Sequence, residues 1–129
     1  MVEEEKQRAS DAKGLQKTYL QKADDLEDKI IRELQEAYPG MQDMDILFYS
    51  QYDSEWNDLL NEVWGVLEES LPKDEFEQLQ VEQKEWVTTK EQDLAEMPGE
   101  TSSERGTAAG LTTMETSNRT YFLIENFME

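Results

Sequence analysis

Two helical stretches separated by a single proline constrain the fold of this chain more than any other feature. Between residues 53 and 70 the apolar side chains recur at alternating spacings of four and three, the period of an amphipathic helix with one buried face. These side chains are Trp56, Leu59, Leu60, Val63, Trp64 and Leu67. Pro72 ends the helix because it lacks an amide proton and disfavours helical geometry at Leu71. A second periodic run follows at once, so we predict two long helices packed as an antiparallel hairpin.

The second run carries polar side chains at steps where a buried helix face calls for apolar ones. Its periodic positions are Phe76, Leu79, Gln83, Trp86, Val87, Lys90 and Leu94. Gln83 and Lys90 stand about one turn before and after Trp86, and Asn57 and Arg119 also adjoin apolar stripes. Because buried polar groups must be hydrogen-bonded, we expect these residues to bond across the bundle and fix its register. The alternative is a recognition patch for a partner.

One further helix is predicted near the N-terminus, over residues 11–38, after a disordered tail over residues 1–10. Its apolar steps are Leu15, Tyr19, Ala23, Leu26, Ile30 and Leu34. Pro39 and Gly40 signal its end. The acidic residues at 24, 25, 27 and 28 fall between the apolar steps, which favours a solvated helix face over a calcium site.

Residues 41–52 contain no helix breaker and leave two alternatives open. They either continue into the following stripe as one helix of roughly 28 residues, or form a short helix and a turn near Ser50 and Gln51.

The composition changes after Met97, and residues 98–110 are predicted to form a small, polar loop. A terminal helix follows, with its apolar stripe at Leu111, Met114, Asn118, Tyr121, Phe122 and Phe127. Several threonines weaken its helix propensity, so tertiary packing must hold it. No strand-like alternation competes with these patterns. We therefore predict an all-α fold, a four-helix antiparallel bundle with a long central hairpin, in a single domain over residues 11–129.

Composition argues for a binding protein rather than an enzyme. The chain has no cysteine and no histidine, so it has no disulfide, no thiolate and neither the usual general base nor the commonest metal ligand. Phosphate-loop, nucleophile-elbow and zinc motifs are also missing from the sequence. We assign no catalytic, cofactor-binding or metal-binding residue. A hydrolase that uses paired carboxylates remains an alternative to a binding function.

The net charge of −19 restricts the classes of partner that the chain can bind. It repels nucleic acids and anionic membranes and favours a cationic protein, unless the charge serves solubility alone. No run of about 18 apolar residues is present to span a membrane.

Three short motifs in the order seen here resemble the LprI-type lysozyme-inhibitor domain family. They are Asp53-x-x-Trp56-Asn57, Leu79-x3-Gln83-x2-Trp86-x3-Lys90 and Thr116-x2-Arg119-x3-Leu123. The resemblance covers roughly residues 45–127, within a core that we place at 41–127, and the first helix is similar to the extra N-terminal helix of Gram-positive lipoprotein members.

The chain departs from the family pattern at four positions. Trp56 replaces the usual leucine, and Lys90 replaces the commoner arginine. Leu94 and Leu111 stand where many members carry cysteines, so the resemblance implies an apolar contact in place of a disulfide.

The resemblance implies a non-catalytic helical protein that is secreted or held at the cell surface by a lipid anchor outside this sequence. A cytoplasmic location is the alternative. The family name implies binding of a cationic enzyme such as lysozyme, and the alternative function is an envelope-associated interaction domain with an unrelated partner. The expected contact region is the predicted loop, with Pro98, Gly99, Glu100, Glu104 and Arg105 as its candidate contact residues.

Overall fold

The computed structural model confirms the all-α bundle. It describes the backbone of residues 2–39 and 49–129, and the side chains of residues 14–39, 49–102 and 104–129. The elements are helix α1 (Val2–Ala37), a 3-10 turn (Ser50–Tyr52), and helices α2 (Asp53–Ser70), α3 (Lys73–Glu96) and α4 (Ser102–Phe127). The described ranges contain no strand, and none of their helices has the length and apolar character needed to cross a membrane.

Helix α1 begins earlier than the sequence pattern suggested. Residues 2–10, which we expected as a disordered tail, are part of this helix. They contain good helix formers and neither glycine nor proline, so nothing in the sequence ends the helix there. The helix ends at Ala37, two residues before Pro39, and it buries four of its predicted apolar steps. These are Tyr19, Ala23, Ile30 and Leu34.

Helix α2 follows a 3-10 turn and buries the predicted stripe. Of the two alternatives for residues 41–52, the turn at Ser50–Tyr52 agrees with the one that placed a turn near Ser50 and Gln51. Residues 41–48, where that alternative placed a short helix, lie outside the described residues. Trp56, Val63 and Leu67 are fully buried in the core. The helix ends at Ser70, where the following residue turns extended ahead of the proline.

The hairpin of α2 and α3 forms, but it is not the packing centre of the bundle. The two helices contact each other near their junction, where the ring centroids of Trp64 and Phe76 are 5.1 Å apart. Farther along, a groove of about 570 Å³ opens between them, with Trp64, Gln80 and Val87 among its lining residues. The most extensive helix contact in the described structure is instead between α2 and α4.

The buried face of α4 is not the stripe predicted from its apolar residues. Met114 and Phe122 of that stripe are 39% and 38% exposed, and Asn118 is exposed as well. The buried residues of α4 include Thr113, Thr116, Ser117, Thr120, Leu123 and Ile124.

Backbone hydrogen bonds explain why a face rich in hydroxyl groups is buried. The hydroxyls of Thr116 and Thr120 donate to the carbonyl oxygens four residues earlier, at 3.1 and 2.8 Å. The single hydroxyl proton of Thr113 is shared between the carbonyl oxygen of Ala109 and Oδ1 of Asp53, each at 3.0 Å. A satisfied hydroxyl can leave water at little cost, and these small side chains let α4 lie close against α2. The apolar period therefore placed the core face of α4 on the wrong side.

Three tyrosine hydroxyls join α1 to the rest of the bundle by donating to carboxylates. The bonds run from Tyr19 to Glu62 (3.1 Å), from Tyr52 to Glu33 (2.9 Å), and from Tyr121 to Asp24 (2.6 Å) and Glu27 (3.2 Å). Two of the acidic residues expected on a solvated face are thus acceptors in a contact between helices.

We expect this arrangement to make the fold sensitive to alkali. Burial and the bond to Glu33 raise the pKa of Tyr52 to about 12, and burial together with Asp24 raises the pKa of Tyr121. An unfolded tyrosine has a pKa of about 10, so the stabilisation is complete below about pH 10 and is lost as the pH rises through the folded value. The free energy of unfolding from urea titrations, followed by circular dichroism, should fall between about pH 10 and pH 12. In the Tyr52→Phe variant the free energy of unfolding should fall less steeply with pH. A wild-type free energy of unfolding that does not change over this pH range would contradict the account.

Candidate functional site

The polar residues singled out in the sequence lie in two places, both between α4 and a neighbouring helix. We call the first the Arg119 clasp; it consists of Gln83, Trp86, Lys90 and Arg119. The second is the loop-end cavity, which lies beneath the short loop of residues 97–101 that joins α3 to α4.

Arg119 is almost fully buried at the centre of the clasp. Only 8% of its side chain is exposed, and its Nε donates to Oε1 of Gln83 at 2.8 Å. Its Nη1 lies 3.3 Å from Oε1 of Glu82, whose side chain is 47% exposed. An ion pair with so exposed a partner contributes at most about 1 kcal/mol, so the bond to Gln83 is the main polar support of the guanidinium.

Aromatic rings complete the surroundings of this charge. The guanidinium carbon of Arg119 lies 4.8 Å from the ring centroid of Phe122 and 5.6 Å from that of Trp86. The ammonium of Lys90 lies 4.7 Å from the same Trp86 ring. All three distances are within the range of cation–π attraction. Trp86 therefore interacts with two cations, and the clasp joins α3 to α4 through residues of two separate motifs.

The clasp borders a small cavity of about 330 Å³, but its own groups are mostly engaged with one another. Asp93 and Glu115 line this cavity together with Lys90 and Arg119, so its charges are balanced. Nη2 of Arg119 is buried without a hydrogen-bond partner. The packing of Arg119 and Gln83 against each other favours a structural role, which no binding measurement has tested, so the role stays a prediction.

Asp53 anchors the start of α2 to α4. Its Oδ1 accepts a hydrogen bond from the Thr113 hydroxyl at 3.0 Å, and its Oδ2 accepts one from Nδ2 of Asn57, also at 3.0 Å. The same Asn57 nitrogen donates to the backbone oxygen of Asp53 at 2.9 Å. A carboxylate at a helix N-terminus is also favoured by the helix dipole. The first family motif thus holds a junction between helices.

The loop-end cavity lies at this junction and has a volume of about 700 Å³. Asp53, Thr113 and Arg105 contribute its polar lining. Its apolar lining comes from Leu94, Met97, Pro98, Ala108 and Ala109. The fold therefore brings the first motif, the end of α3 and the start of α4 to one concave site.

The loop above the cavity is shorter and more firmly held than the sequence suggested. The prediction of a loop over residues 98–110 is wrong beyond Thr101, because α4 begins at Ser102. A capping box sets this start: the Thr101 hydroxyl accepts from the Glu104 backbone nitrogen at 3.1 Å, and the Glu104 carboxylate accepts from the Thr101 nitrogen at 3.2 Å.

Arg105 fastens the loop from the first turns of α4. Its Nη1 donates to the backbone oxygens of Gly99 at 3.1 Å and Glu100 at 3.2 Å, and its Nη2 donates to Oγ of Ser102 at 3.3 Å. Pro98, Gly99 and Glu100 are exposed. Of the five candidate contact residues, these three lie in the loop, whereas Glu104 and Arg105 belong to α4 and hold the loop in place.

The remaining motif residues are in the core. Trp56, Thr116 and Leu123 have no exposed surface, and the Trp56 ring lies 6.1 Å from the ring of Tyr121. Trp56 and the half-buried Trp86 thus each pack against an aromatic or cationic side chain of α4.

Of the two residues at the family's cysteine positions, Leu94 is 40% exposed and Leu111 is half-buried. A contact between their side chains stays a prediction.

Sequence reasoning missed Thr113, which it treated only as a weak helix former. The available signal was the spacing of Thr113, Thr116 and Thr120, three residues and then four, which is the period of a helix face made of hydroxyl residues. Within the described side chains, no group of three histidine, cysteine, aspartate or glutamate residues is placed to hold a metal ion.

We expect Gln83→Ala to lower the free energy of unfolding by about 1 to 3 kcal/mol, because it leaves the buried Nε of Arg119 without an acceptor. Gln80→Ala, at an exposed position of the same helix, is the matched control and should leave the free energy nearly unchanged. Urea denaturation followed by circular dichroism measures both. A Gln83→Ala protein that unfolds like the wild type yet loses a partner would identify the clasp as a recognition site instead.

Comparison with known proteins gives one family. The model of the family described as "Lysozyme inhibitor LprI" matches residues 35–123, which is more than half of the chain. A search of curated proteins and a search of solved structures each give no match. The matched range contains α2, α3, most of α4 and both regions described above. On this match, the chain belongs to the LprI lysozyme-inhibitor family.

Proposed function

We propose that the protein is a non-catalytic domain that binds a cationic enzyme of the lysozyme class and inhibits it. The family match over residues 35–123 is the observation that carries this proposal. The net charge of −19 supports it independently, because a strongly acidic surface suits a basic partner.

Few of the carboxylates among the described side chains are paired with cations. The chain has 31 acidic and 12 basic residues. In the described part of the structure the ion pairs are Lys22 with Glu62, Lys29 with Glu55, and Arg119 with Glu82. The unpaired carboxylates produce a negative field that speeds encounter with a basic protein. At physiological ionic strength this field is screened over about 8 Å, so specific inhibition needs a shaped contact as well.

The α3–α4 loop is the best candidate for that contact. Pro98, Gly99 and Glu100 are exposed at one end of the bundle, while Arg105 and the capping box hold the backbone beneath them. A loop held in one conformation loses little entropy on binding, which favours insertion into the cleft of an enzyme. Such an insertion would block substrate without any chemistry by this chain.

The proposed partner also bears on location. Members of the family are typically extracellular or surface-associated. An inhibitor that acts on a secreted enzyme must share its compartment, so we place the protein outside the cell or at its surface, with a lipid anchor as the proposed attachment.

A second candidate rests on a different feature. The groove between α2 and α3 exposes Trp64 and Val87 along its walls. An apolar groove of this kind favours an envelope-associated interaction domain that accepts a segment of an unrelated partner. The two candidates differ in the surface they use and in their response to salt.

The proposal predicts inhibition of cell-wall lysis by an animal c-type lysozyme when the protein is added at about 0.15 M salt, with weaker inhibition at higher salt. The double substitution Pro98→Gly and Glu100→Ser keeps the loop length and Gly99 but removes the rigidity of the proline and one charge. Inhibition should weaken by about tenfold, the equivalent of about 1.4 kcal/mol.

The control is Glu77→Ser on the exposed face of α3, which removes the same charge away from the loop. It should inhibit nearly as well as the wild type. Equal losses of inhibition in the two variants would mean that the removed charge acts only through the long-range field and that the shape of the loop does not contribute. If a large molar excess of the protein leaves lysis unchanged, the inhibitor proposal is wrong and the second candidate stands.

A further inference from the structure

We infer that the loop-end cavity is a binding site for one cationic side chain, a lysine or arginine of the partner, with Asp53 as its counter-ion. The identity of the partner rests on the proposed function, whereas the chemistry of the site can be tested without any enzyme.

Among the described residues, the carboxylate of Asp53 has neutral partners only. Its two oxygens accept hydrogen bonds from the Thr113 hydroxyl and the Asn57 amide. None of the ion pairs in the described structure includes Asp53, although this residue is half-buried. The helix dipole at the start of α2 offsets part of the desolvation cost of this carboxylate, and a cation in the cavity would offset more.

The walls of the cavity suit the aliphatic part of such a side chain. Leu94, Met97, Ala108 and Ala109 line it, and a volume of about 700 Å³ leaves room for a lysine or arginine stem. These side chains bury their methylene groups against apolar surface while the charged end reaches a polar group. A carboxylate set among apolar walls therefore selects a long cationic side chain over a small metal ion, which needs several oxygen ligands.

Arg105 also lines the cavity, and its charge has to be accounted for. Its guanidinium donates to two carbonyl oxygens of the loop and to Ser102, so it is held by neutral acceptors and not by Asp53. The carboxylate thus stays available to a ligand. With one cation already in its lining, the site would favour a single additional positive charge over a cluster of them.

The position of the site links it to the loop. Met97, Pro98 and Gly99 belong both to the cavity lining and to the α3–α4 connection. A partner whose cationic side chain entered the cavity would be held with its surface against the exposed loop. The cavity would supply the local specificity that a screened long-range field lacks.

Titration of the isotope-labelled protein with N-acetyl-lysine amide, followed by amide chemical shifts in NMR spectra, tests the site directly. We expect saturable shifts at Asp53, Ala109 and Thr113. N-acetyl-norleucine amide, which has the alkyl stem without the ammonium, should bind at least about tenfold more weakly, as expected for the loss of an interaction of about 1.4 kcal/mol. Equal binding of the two probes would overturn the inference.

Two variants assign the shifts to this cavity. Asp53→Asn should weaken lysine-amide binding by at least about tenfold, and Ala109→Phe should do the same by filling the cavity from an exposed position of α4. The second variant keeps Asp53 and its bonds, so it remains decisive if the first fails to fold, which circular dichroism would reveal. Glu91→Gln, at an exposed site on α3, is the charge-matched control and should bind like the wild type.

The outcomes separate this inference from the proposed function. Shifts scattered over the acidic surface, or shifts that persist in the Ala109→Phe variant, would refute the cavity site even if lysozyme is inhibited. Specific lysine-amide binding without inhibition of lysozyme would establish the site and refute the proposed partner.

Discussion

The close contact between α2 and α4 is the interaction on which the rest of this structure depends. It is possible because Thr113, Thr116 and Thr120 are small. Thr116 and Thr120 return their hydroxyl protons to the backbone of their own helix, and Thr113 shares its proton between that backbone and Asp53. Helices α1 and α3 each contact this pair. The bond from Thr113 to Asp53 fixes the longitudinal register at one end. Substituting a larger residue for any of these threonines would separate the two helices and displace everything attached to them.

The sequence predicted those parts of the fold in which burial coincides with apolar character. The stripe of α2, the face of α1 and the breaks at Pro39 and Pro72 follow from period and proline chemistry alone. The polar anomalies on α3 were informative too, since Gln83 does meet Arg119 across the bundle. The hydroxyl part of the buried α4 face could not be found in this way, because its threonines become buriable only once the helix has formed. Leu123 and Ile124 on the same face are apolar and were missed because they lie outside the predicted stripe.

The site was predicted less well than the fold. Small and polar composition suggested a long loop, whereas the capping box of Thr101 and Glu104 starts a helix within that composition. The loop-end cavity could not be predicted from the sequence, because it combines Asp53 with residues more than forty positions later in the chain. No local sequence pattern indicates a contact over that separation. The described motif residues lie mainly in the core or in bonds between helices. A match to a family whose motif residues lie there shows the scaffold, and we propose that the choice of partner depends on the loop and the cavity beneath it.

The central claim is that a cationic partner binds at the loop end of the bundle, and hydrogen-exchange mass spectrometry with and without an animal c-type lysozyme tests it most directly. The account predicts slower exchange in residues 97–113 and at the start of α2, with unchanged exchange around Gln83 and Arg119. Slower exchange confined to α1, with none at the loop end, would contradict it.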